Sequence, residues 1–205
     1  MAGPVPEQIE HYVQLLDHLN RTSVYPPENL SWTVVRPHQA GLTVHEVVRR
    51  LNGDPEALTT RPPAETDYDE DAVFLEQRGD AIIILGYGGA TAEVDVLQRL
   101  SQGATVHSVF WLINNFSRLY YLADGELITE VDTLFPLDRL GTDPEALTGH
   151  LHALGDLRSR IMANTYTGPD LDWEIALATL ESLTGERLDA DWFARPQLFA
   201  EANRG

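Results

Sequence analysis

The stretch ATVHSVFWLI (residues 104–113), followed by RLYYL (118–122), ADG (123–125) and ELITEVD (126–132), decides the fold. Val106, Phe110 and Leu112 alternate with His107, Val109, Trp111 and Ile113, so both faces of the first run are largely apolar. A period of two with no polar face marks a central strand covered on both sides. Asp124-Gly125 between two β-rich runs is a strong hairpin signal, because both residues tolerate the positive φ of a tight turn.

Outward from that centre, residues 72–77 and 81–86 flank Arg78-Gly79-Asp80 and form a second predicted hairpin. Residues 30–36, rich in β-branched and aromatic side chains, read as a strand ended by Pro37. Helical spacing appears at 6–20, where Ile9, Tyr12, Val13, Leu16 and Leu19 share a face and Glu7, Glu10, Gln14 and Asp17 fall opposite. Thr43 and Glu46 make a capping box for a helix carrying Val44, Val47, Val48 and Leu51. Further helices are expected at 92–101 behind Thr91, at 143–155 behind Asp143-Pro144-Glu145, at 171–183, and briefly at 188–193. The expectation is one α+β domain over 1–205, with a mainly antiparallel sheet of about five strands packed with helices. It divides into an N-terminal helix and linker (1–29), an acidic Pro-containing loop (59–71) and C-terminal helices (143–205). With two prolines and five acids, the loop is predicted to be the least ordered part of the chain.

Composition narrows the function classes. Among 205 residues, 32 Asp and Glu face 14 basic residues, all of them Arg, for a net charge of −18. Soluble small domains ordinarily carry a charge of magnitude ~2–8. Such a surface repels phosphate backbones and anionic membranes, so nucleic acid and membrane are excluded as expected partners, and a basic protein is favoured. The absence of Cys removes disulfides, thiolate metal sites and cysteine nucleophiles. The first residues lack the basic and apolar regions of a signal peptide, and no window approaches a membrane span, so a cytoplasmic location is expected.

No motif carries a catalytic signature. Gly86, Gly88 and Gly89 precede a helix, but Glu93 and Asp95 stand where a phosphate loop needs a basic residue. Glu65, Asp67, Asp69, Glu70 and Asp71 alternate like a calcium loop without its glycine and terminal glutamate, and suit a basic protein surface better than a metal. The histidines are too scattered to share an ion. His107 is the one mid-strand candidate for a general base, with a hydrogen-bonded core role as the plainer reading. Asn114, Asn115 and Arg118 gather polar groups where strands reverse, and Glu130 and Asp132 project from one face of the returning strand.

From about residue 42 to 199 the order of phrases resembles an uncharacterised actinobacterial family, domain of unknown function 6461. The resemblance is carried by Val47, Val48, Arg50 and Leu51, by Leu97-Gln98-Arg99-Leu100-Ser101-Gln102-Gly103-Ala104, and by Val109-Phe110-Trp111. Phe116-Ser117-Arg118, Asp124-Gly125-Glu126-Leu127, Leu134-Phe135-Pro136, Gly141-Thr142-Asp143-Pro144 and Leu183-Thr184-Gly185 continue it. The family pattern has an Asn-Val-Asn-like stretch where this chain has Ile113-Asn114-Asn115. The resemblance implies the fold and transfers no reaction.

Two functions from different classes follow as expectations. The first is a non-enzymatic acidic interaction protein, immunity- or antitoxin-like or a gene-cluster accessory factor. It would bind a basic partner through Asn114, Asn115, Arg118, Trp111, Asp67, Asp69, Glu70 and Asp71, with no cofactor and no metal. The second is a small enzyme or ligand-binding protein with a pocket over the sheet near His107, Trp111, Asn114 and Arg118, in which His107 and Arg118 are catalytic.

Overall fold

The computed structural model describes residues 3–22, 28–66, 71–87, 91–114 and 116–202. The amphipathic stripe read at the N-terminus forms α1 (Pro6–Thr22), burying Tyr12, Leu15, Leu16 and Leu19. β1 (Leu30–Pro37) follows, then α2 (Val44–Arg50), whose cap is the expected one: Thr43 Oγ1 accepts the Glu46 amide hydrogen at 3.3 Å. β2 (Thr59–Arg61), β3 (Ala72–Arg78) and β4 (Ala81–Gly86) precede α3 (Val94–Leu100). The decisive stretch is β5 (Ala104–Leu112), β6 (Phe116–Ala123) and β7 (Glu126–Asp132). Positive φ at Asp124 (51°) and Gly125 (85°) closes the β6–β7 hairpin. The two-residue β8 (Arg139–Leu140), α4 (His152–Met162), α5 (Asp172–Thr184), α6 (Ala190–Ala194) and β9 (Gln197–Glu201) complete the chain.

All described strands join one antiparallel sheet in the order β2-β9-β3-β4-β1-β5-β6-β7-β8. The class is α+β as expected, with nine strands in place of about five. The additional β2, β8 and β9 are short, and only their partners make them strands. Leu198 and Phe199 of β9 point to opposite faces, and the segment fills the gap between β2 and β3. Residues 143–205 are therefore not all helix. The Pro-containing segment is packed against the fold over residues 59–66. Residues 59–61 pair with β9, Pro63 is buried, and the Tyr87 hydroxyl donates to the carbonyls of Pro63 (3.3 Å) and Thr66 (3.2 Å).

Helix starts moved where side chains found tertiary partners. Thr91, expected as a cap, is buried with its hydroxyl on Ser31 Oγ, and α3 begins at Val94. After Asp143-Pro144-Glu145 the chain makes a turn and a 3-10 segment, and α4 starts only at His152. The sheet has an apolar layer on each side. One holds Tyr12, Trp32, Trp111, Leu177 and Trp192 beneath the N- and C-terminal helices, and the other holds Val48, Ile84, Leu97 and Leu122 beneath α2 and α3. Each fully buried side chain of this size contributes about 1.5–3 kcal/mol. Both faces of β5 being covered explains its continuous apolar pattern.

Candidate functional site

Trp111 of β5 is fully buried and stacks on Trp173 of α5, with ring centroids 5.3 Å apart and planes at 14°. That stack anchors the first turn of α5 over the sheet and beside α1. Tyr12 of α1 reaches under the same helices, where its hydroxyl accepts the Leu188 amide hydrogen at 3.4 Å. Burial, with the nearby Glu181 charge adding, pushes the Tyr12 hydroxyl pKa up. Glu181 feels burial too, but hydrogen bonds from the Arg187 guanidinium (3.0 and 2.8 Å to Oε1) outweigh it and hold the carboxyl below its ordinary range. The α1–α5 contact is thus clamped at its far end by a buried polar cluster around the Glu181–Arg187 pair.

The near end is open. A groove of about 710 Å³ runs between α1 and the start of α5. Glu10, Gln14 and Asp17 line one wall from α1, at helical spacing, and Glu28 also contributes to the lining. Trp173, Glu174 and Leu171 line the other wall, with the exposed Ile113 from the end of β5. Arg21 is the only basic residue in this lining among the described residues, and its guanidinium already lies 2.7 Å from Asp17. Glu174 stands in the α5 first turn, where a helix N-terminus favours a carboxylate. Burial nonetheless pushes its carboxyl up to about 7, against a backbone hydrogen bond and with Asp170 adding repulsion. Asp170 and Asp172 are themselves engaged by Arg158, which ties α4 to α5. The groove therefore presents four carboxylates against one arginine among the described residues, on apolar walls that include an indole. Such a lining is chemically complementary to a cation with a hydrocarbon stem.

The opposite face of the sheet carries a second cleft, of about 430 Å³, lined by Arg118, Glu130, Asp132, Leu137, Asp138, Arg139 and Leu140. Arg118 donates to Glu130 at 3.2 Å and to the Ser117 carbonyl at 2.9 Å, with Asp132 2.8 Å away. Its guanidinium also lies over the Phe116 ring at 4.3 Å. Arg118 is held by its own neighbours.

The residues expected to form a pocket over the sheet are not brought together. His107 and Trp111 share the α1/α5 face, whereas Arg118 pairs in register with Phe110 and projects from the other. Alternation along a strand makes that separation unavoidable. His107 stacks on Tyr121 at 4.8 Å and 3°, and burial, with Arg36 and His150 adding, pushes its imidazole down to about 4. A neutral ring packed in the wall is what such an environment selects. Asn114 Oδ1 accepts the Phe116 amide hydrogen at 3.2 Å, which is turn chemistry. Asp71 is half-buried beside β3, its carbonyl accepting the Ala202 amide hydrogen at 2.8 Å. Asn115, Asp67, Asp69 and Glu70 lie outside the described residues. Among the described residues no group of three or more His, Asp or Glu is placed to hold a metal ion, and no helix is long and apolar enough to cross a membrane.

Glu10, Asp17, Trp173 and Glu174 were not singled out as a site in the sequence. Glu10 and Asp17 fell in the polar stripe of α1, which reads as a solvated face. Nothing in a single sequence sets that stripe against the start of a helix more than 150 residues later. Residues 28–200 match the model of a family of unknown function (DUF6461). No curated protein and no solved structure matches.

Proposed function

The chain belongs to the DUF6461 family of unknown function, and we propose that it acts as an acidic interaction protein that receives a basic segment of a partner protein in the groove between α1 and α5. The observation that carries this reading is the imbalance inside the groove: among the described residues Glu10, Asp17, Glu28 and Glu174 line it, against one arginine already paired with Asp17. A lysine or arginine side chain entering there lays its stem along Val13, Leu16 and Leu171 and places its charge among carboxylates beside Trp173. A cation over an indole face adds about 0.5–2 kcal/mol to such a contact. The net charge of −18 supports the same partner class from a distance, since it accelerates encounter with a basic protein and slows encounter with polyanions. Holding a partner requires no reaction, in keeping with a sequence that offers no catalytic signature.

The test is a nuclear magnetic resonance titration of the 205-residue chain with a short arginine-containing peptide. The expected result is that the Trp173 indole and the amides of α1 and the α5 first turn shift together and saturate. Shifts scattered over the whole acidic surface without saturation would contradict a dedicated groove.

A further inference from the structure

The α1/α5 groove and the Arg118 cleft lie on opposite faces of the sheet, and each takes apolar lining residues from the same end of it. There the chain reverses between β5 and β6 and again after β7, and large apolar side chains stand in solvent. Ile113 is 61% exposed, Phe116 39%, Phe135 60%, Leu137 86% and Leu140 64%. Two further large apolar side chains are comparably exposed among the described residues, Val5 and Met162, and both lie on other elements. The gathering is held by backbone and not by chance rotamers. Asp132 Oδ1 accepts the Leu134 and Phe135 amide hydrogens (2.9 and 3.3 Å), and the Asp138 amide donates to the Phe135 carbonyl at 2.7 Å. The Ile113 amide donates to Asn29 Oδ1 at 3.1 Å. Ile113 lines the α1/α5 groove, while Leu137 and Leu140 line the Arg118 cleft, so exposed apolar residues belong to both. Exposed apolar side chains gathered at one end of a sheet mark an interaction site. Its flanks carry Glu28 on one side and Glu130, Asp132 and Asp138 on the other, where Arg118 is committed to Glu130 and Asp132 and Arg139 is committed to Glu145.

We propose that this end of the sheet is a docking surface for a partner segment in which apolar residues are interleaved with lysine or arginine. The inference rests on the basic-partner reading above and adds the apolar half of the recognition. The apolar side chains of the segment cover Phe116, Leu137 and Leu140, while its cations reach the carboxylates of the clefts on both sides. The charge complementarity excludes an acidic apolar segment, which would meet carboxylates at each flank.

The experiment compares three synthetic peptides of roughly ten residues, alternating Leu/Lys, Ser/Lys and Leu/Glu, by calorimetry at low salt. The wild-type chain and the exposed-surface variant Leu137→Ser/Leu140→Ser are both titrated, with circular dichroism verifying that the variant is folded. The Leu/Lys peptide is expected to bind the wild type at least about tenfold more tightly than Ser/Lys, and the double substitution to remove that advantage without changing the Ser/Lys affinity. Equal affinities for the two cationic peptides, or an advantage that survives the substitutions, would overturn the docking surface while leaving the groove intact. Failure of both cationic peptides to bind would overturn the basic-partner reading and this inference with it. Tightest binding by Leu/Glu would overturn the charge argument. Concentration-dependent self-association abolished by Leu137→Ser/Leu140→Ser would assign the surface to a second copy of the chain instead.

Discussion

Glu174 concentrates the chemistry of the groove in one carboxyl. Its folded-state pKa of about 7 lies above the ordinary 4.5, so its contribution favours the fold below pH 4.5 and is lost as pH rises through 7. Glu174→Gln is expected to stabilise the protein at pH 8 by on the order of 1–3 kcal/mol and to leave it nearly unchanged at pH 4, as thermal unfolding at the two pH values would show. The same ionisation prepares the groove for a cation. Affinity for an arginine-containing peptide should therefore climb through pH 7 in the wild type and stay flat in Glu174→Gln. His107 behaves in the opposite sense. Its pKa is lowered from 6.5 to about 4, so its contribution is complete above pH 6.5 and is lost as pH falls toward 4. His107→Phe, which keeps a ring against Tyr121, should flatten the stability profile across that interval, and an unchanged acid limb in urea titrations would contradict the buried neutral imidazole.

Two positions test how the strands are held. Gly141 has φ +119°, and a Cβ there would lie 2.3 Å from the Ile128 carbonyl oxygen, because the segment after β8 runs tightly along β7. Its neighbours donate to that strand: the Thr142 amide to the Leu127 carbonyl at 3.0 Å and the Asp143 amide to the Ile128 carbonyl at 2.9 Å. Gly141→Ala should cost about 2 kcal/mol or more and raise hydrogen exchange at Thr142 and Asp143 ahead of the rest of the sheet. Trp111→Ala, which empties the space beneath Trp173, should cost about 3–5 kcal/mol. A melting temperature unchanged by that substitution would contradict the stack. The long strands, both hairpins and α1 were legible in the sequence because periodicity and turn residues are local. β2, β8 and β9 were not, since two to five residues become a strand only when a partner edge reaches them. The helix expected at 143–155 failed for a related reason. Asp143 and the residues before it are drawn onto β7, with the Thr129 hydroxyl donating to the Asp143 carbonyl at 2.7 Å, so the chain spends that capping signal on a turn. The groove was illegible because its two walls are distant in sequence, and its acids look like any solvated helix face.

At the scale of the protein, 14 arginines are set against 32 acids, and many of those arginines are already spoken for. Arg36, Arg78, Arg118, Arg139, Arg158 and Arg187 all sit in ion pairs within the fold. The surplus is negative and remains available to a partner. Interactions that depend on such a field weaken as salt shortens the screening length, from about 10 Å at 0.1 M to about 3 Å at 1 M. The most direct measurement is the association rate of a lysine- and arginine-rich peptide with the wild type and with Asp17→Asn/Glu174→Gln, followed by stopped-flow Trp fluorescence across that salt range. Capture of a basic segment in the acidic groove predicts a rate that falls steeply with salt, together with a complex that dissociates markedly faster in the double variant. A rate indifferent to salt, or a complex equally long-lived in both proteins, would contradict it.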